Sequence, residues 1–64
     1  MSFKVYIEMP AGAQSEPHDF EEEAEAMKLF DRFVGQMRPW KGFSADVVMI
    51  ENKKVIQLEQ IRNA

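Results

Sequence analysis

The sequence has no cysteine, which excludes disulfides and thiolate metal sites and leaves the fold to be held by packing alone. Glycine and proline are scarce, at three each, so the chain is neither collagen-like nor a flexible linker. Long apolar runs are also missing. The longest, Val47-Val48-Met49-Ile50, falls far short of the ~20 residues a membrane helix takes. Lys4 is followed at once by alternating residues, so no leader is visible, and a cytoplasmic location is expected. Positive charge is in deficit: the net charge is −3 and the pI about 5.0, which disfavours nucleic acid or an anionic membrane as partner.

What is present is an ordinary globular mixture of 64 residues, 45% hydrophobic and 30% charged. That is one small domain, spanning residues 1–64. A chain of this size buries only ~60% of the surface its unfolded form exposes.

Phe3 to Glu8 alternates with period two. Phe3, Val5 and Ile7 fall on one side and Lys4, Tyr6 and Glu8 on the other, which predicts a strand. Pro10 ends it, and Pro10 to Pro17 reads as a long loop with Gly12 at a turn. Asp19 followed by Glu22 has the spacing of a capping box. A helix is therefore expected from about Asp19 to Arg38, with acidic residues in its first turns and Pro39 stopping it. Its apolar side chains cover an arc of about 220°, more than one core face needs.

Phe43 to Ile50 and Val55 to Ile61 read as a hairpin around Glu51-Asn52-Lys53-Lys54, with Asn52 suited to positive φ. A two-residue turn at Asn52-Lys53 pairs Met49 with Ile56 and Val47 with Leu58. The order β-α-β-β predicts an α+β fold: a three-stranded, mainly antiparallel sheet with one helix packed on one face. A right-handed crossover makes the first two strands parallel, and the third is expected to slot between them.

One helix covers one face only. Phe3, Val5, Ile7, Val47, Met49, Ile56 and Leu58 are assigned to the helix side. The opposite face then carries Tyr6, Val48, Ile50, Val55 and Ile61, interleaved with polar residues. That face is too apolar for solvent and is the expected protein interface. A single core this small rarely supplies more than ~3–5 kcal/mol, and association would add burial.

Charge is uneven: residues 1–31 carry a balance of −6 and residues 32–64 one of +3. The helix dipole accounts for part of this. A sharper reading is an acidic ridge of Asp19, Glu21, Glu22 and Glu25 that faces a basic surface on a partner.

No catalytic set emerges, and an enzyme is not expected. His18, the one histidine, is followed by Asp19, Glu22 and Glu25, but the acidic run is better explained by the dipole than by a metal, and no metal or cofactor is expected. Arg38, Trp40, Lys41 and Phe43 combine cations with rings that can stack a base. The acidic balance and the absence of a wider basic stripe weigh against that use, and nucleic acid is not the expected partner.

The expectation is a non-enzymatic protein-protein interaction module, homodimeric or bound to another protein. The alternative is an acidic inhibitor that occupies a basic nucleic-acid-binding site. In composition the chain resembles phage and mobile-element accessory proteins, which are often short, acidic and cysteine-free.

Overall fold

The computed structural model describes residues 2–63. Their order is β1 (Phe3–Glu8), β2 (His18–Phe20), α1 (Glu23–Met37), β3 (Ser44–Glu51) and β4 (Lys54–Arg62). The fold is α+β: one helix lies against a single antiparallel sheet with strand order β2-β1-β3-β4.

The sheet has four strands rather than the expected three, and the extra one changes the topology. After β1 the chain turns at Gly12, whose φ is +95°. It then returns beside β1, with Ser15 N–H donating to the Ile7 carbonyl at 2.8 Å and Ile7 N–H to Ser15 Oγ at 2.8 Å. His18–Phe20 therefore pairs with Val5–Phe3. Asp19 lies within this strand and does not cap the helix. The N-cap is Glu22, without a side-chain hydrogen bond.

Because β2 has already carried the chain back along β1, the helix of 15 residues, about 22 Å long, returns it once more. As a result β3 runs antiparallel to β1 and pairs with it directly. The strand expected between them, β4, lies instead at one edge of the sheet, with β2 at the other.

The hairpin turn is the two-residue one. Asn52 and Lys53 have φ of 51° and 65°, the backbone of a primed turn, and Glu51 pairs with Lys54. The register then shifts. Ile50 pairs with Val55 but Met49 pairs with Gln57, leaving Ile56 as the extra residue of a β-bulge. One added residue exchanges the two faces for the rest of β4. Val48 thus pairs with Leu58, and Ala45 with Ile61.

The core lies between helix and sheet. Val5, Ala26, Phe30, Met37, Ala45, Val47, Met49 and Ile61 are each at most 3% exposed. Ile7, Phe20, Leu29, Phe33, Phe43 and Ile56 pack around them. Asn63 closes the base: its Nδ2 donates to the carbonyls of Met37 at 2.8 Å and Trp40 at 2.7 Å. These satisfy acceptors at the helix C-terminus, where intrahelical partners run out. Arg38, at the same end, is 2.8 Å from Glu59 on β4.

Candidate functional site

Alternation along the strands gives the sheet a second face, directed away from the helix. β1 contributes Lys4, Tyr6 and Glu8, and β3 contributes Ser44, Asp46, Val48 and Ile50. β4 contributes Val55, Leu58, Gln60 and Arg62. Cross-strand pairing gathers the apolar members. Tyr6, Val48 and Leu58 stand side by side across β1, β3 and β4, with Ile50 and Val55 in the adjacent row. Val48, at the centre, is 3% exposed, whereas Leu58 and Val55 are 49% and 53% exposed.

Tyr6, Val48, Ile50 and Val55 are therefore brought together as the sequence suggested. Ile61 is not: it is 2% exposed in the core on the helix side. The bulge at Ile56 moves it there and turns Leu58, assigned to the helix side, onto the outer face. A bulge leaves no signature in residue periodicity, so sequence reasoning could not place these two.

Ion pairs border the apolar rows. Lys4 pairs with Asp19, its partner across β1 and β2. At the opposite end Arg62 Nη1 lies 2.9 Å from Asp46 Oδ1. The same nitrogen donates to the carbonyls of Ala45 at 3.1 Å and Ile61 at 2.8 Å. Its contact with Asp46 is an ion pair rather than a directed hydrogen bond, and the buried Oδ1 accepts none.

The proposed acidic ridge is spread over more than one surface. Asp19 joins the outer face through Lys4, and Glu25 is 3.5 Å from Lys28 on the helix. Glu21 and Glu22 are exposed in the connection between β2 and α1. His18 points the other way from Asp19, toward the helix, with its ring 6.0 Å from that of Phe33. Among the described residues no three His, Asp or Glu are gathered as a metal would require.

A second apolar feature lies beyond the helix C-terminus. Trp40 meets Phe43 edge-on at 5.1 Å between ring centroids. Phe43 packs on the core while Trp40 stays 51% exposed. With Met9, Phe33 and Met37 they line an open groove of about 390 Å³. No described helix is long and apolar enough to cross a membrane. No protein-family model matches the chain, and no curated protein or solved structure matches it.

Proposed function

We propose that the protein is a non-enzymatic interaction module that works as a homodimer through the outer face of its sheet. The observation that carries this reading is the contiguous block of Tyr6, Val48, Ile50, Val55 and Leu58, aligned in two rows over three strands. Covering the exposed halves of Val55 and Leu58 is worth about 1 kcal/mol each, and two-fold symmetry doubles it.

The size of the face is adequate. Three strands about 4.8 Å apart and eight or so residues long, at ~3.3 Å each, give roughly 400 Å² in projection. Side-chain relief raises the accessible area, toward the lower end of specific interfaces at about 600 Å² per partner. A small single core without covalent staples gains stability from such association.

Leu58→Asp places a charge in the block at a half-exposed position. The dimer is expected to dissociate in sedimentation experiments while the circular dichroism of the fold is kept. A wild-type chain that stays monomeric, or a Leu58→Asp chain that stays dimeric, contradicts the reading.

A further inference from the structure

We infer that two copies pack outer face to outer face with their strands running in opposite directions, about a two-fold axis that crosses the strands between the Val48 and Ile50 rows. This rests on the homodimer reading above and adds the arrangement of the copies and their charged contacts.

Side chains on the outer face stand in rows about 6.6–6.8 Å apart, two residues along each strand. The turn residues Asn52 and Lys53 begin the series. Lys4, Ile50 and Val55 form the next row, then Tyr6, Val48 and Leu58, then Glu8, Asp46 and Gln60. The face thus has Lys53 at the turn end beside the Lys4–Asp19 pair, an apolar middle, and an acidic row that Arg62 borders beyond it.

Two features stand at its ends. At the acidic end Glu8 stands directly opposite Asp46, and like charges so placed repel. Arg62 offsets Asp46, but Glu8 has no ion-pair partner among the described residues. At the turn end a shallow cavity of about 250 Å³ opens between Ser2, Lys4, Ile50, Asn52 and Lys53. Lys53 likewise has no ion-pair partner among the described residues.

A self-complementary contact between two such faces needs a two-fold axis lying in the contact plane. An axis along the strands sets each row on its own kind. It places Asp46 over the partner's Asp46 and leaves Glu8 and Lys53 unused. An axis across the strands sets Ile50 over the partner's Val48 and Val55 over the partner's Leu58. The apolar Lys4 stem then lies over the ring of the partner's Tyr6, while its ammonium stays with Asp19. The acidic row of each copy meets the turn end of the other, and the partner's Glu8 enters the cavity beside Lys53. Both axes cover the apolar rows; only the second satisfies the charges. Opposite charges matched across an interface fix its register.

The test is a charge exchange at two solvent-accessible positions. Glu8→Lys and Lys53→Glu, made singly, are each expected to weaken the dimer about tenfold in sedimentation equilibrium at low salt. The two changes together are expected to restore it to within about threefold. Rescue by the double variant also shows that the single changes leave the fold intact. A double variant as weak as the singles, or a Glu8→Lys chain that dimerises more tightly, overturns this arrangement while the homodimer reading stands. A wild-type chain that is monomeric at every concentration overturns both. Cysteine pairs give a second measurement, because the chain has no cysteine of its own. Val55→Cys mixed with Leu58→Cys is expected to cross-link across the two chains in preference to either variant alone. Preferential self-linkage of either one contradicts the arrangement.

Discussion

Val5 and Val48 occupy neighbouring strands of one sheet, on opposite faces, and both are almost inaccessible, at 0% and 3% exposure. Their surroundings differ. Val5 is sealed by the helix, within a core that includes Phe30, Met37 and Met49. Val48 is sealed only from the sides, between its cross-strand partners Tyr6 and Leu58. The helix face is closed by the chain's own residues. The outer face also carries β-branched and aromatic residues, interleaved with charged ones, but nothing is laid over it, and Leu58 and Val55 remain half exposed. Hydrophobic burial in this fold is complete on one side of the sheet and half done on the other.

The comparison can be broken most sharply from the helix side. Phe30→Ala removes a ring that is 3% exposed and is expected to cost about 3–5 kcal/mol. That is comparable to the whole stability of a domain this small, so chemical denaturation should find the variant largely unfolded. From the outer side, Leu58→Asp is expected to cost the isolated chain about 1–2 kcal/mol, from the half of the side chain already buried beside Val48 and the poor fit of aspartate in a strand, which leaves the fold standing. Its main effect falls on association, which should weaken by a hundredfold or more in sedimentation. Large stability loss with Leu58→Asp at concentrations where the chain is monomeric would erase the distinction between the faces.

Smaller effects sharpen it. Lys53 has a φ of 65°, where glycine is free of Cβ strain. Lys53→Gly is therefore expected to stabilise the monomer by about 0.5–1 kcal/mol in urea titration, while removing a charge assigned to the proposed dimer contact. A variant with higher monomer stability and weaker association separates the two contributions in one molecule. Arg38→Ala, at the helix end, loses only the half-exposed contact with Glu59. It should cost about 0.2–1 kcal/mol in thermal unfolding and leave association unchanged.

Much of this fold is legible in the sequence where periodicity is regular. The alternation of Phe3 to Glu8 and of Ser44 to Ile50 identifies β1 and β3, and Asn52-Lys53 identifies the turn. The amphipathic stretch containing Ala26, Phe30 and Met37 identifies the helix, whose observed span begins at Glu23.

Strand β2 escapes because three residues are too few to show a period, and Asp19 and Glu22 happen to have the spacing of a capping box. Missing that strand also inverts the crossover, since each added pass reverses the direction in which the next strand runs. The outer face is legible for Tyr6, Val48, Ile50 and Val55, which lie before the bulge or on strands without one. Beyond Ile56 the alternation of β4 is out of step, so Leu58 and Ile61 exchange sides. The contacts of Asn63 with Met37 and Trp40 join residues 26 and 23 positions apart, and no local pattern announces them.

The most direct measurement is the solution mass of the wild-type chain by light scattering over a dilution series. The outer face predicts a mass of twice 7.4 kDa at high concentration, falling toward the single-chain value on dilution. A mass of one chain throughout, with Val55 and Leu58 still open to solvent, would contradict the claim that this face is where two copies meet.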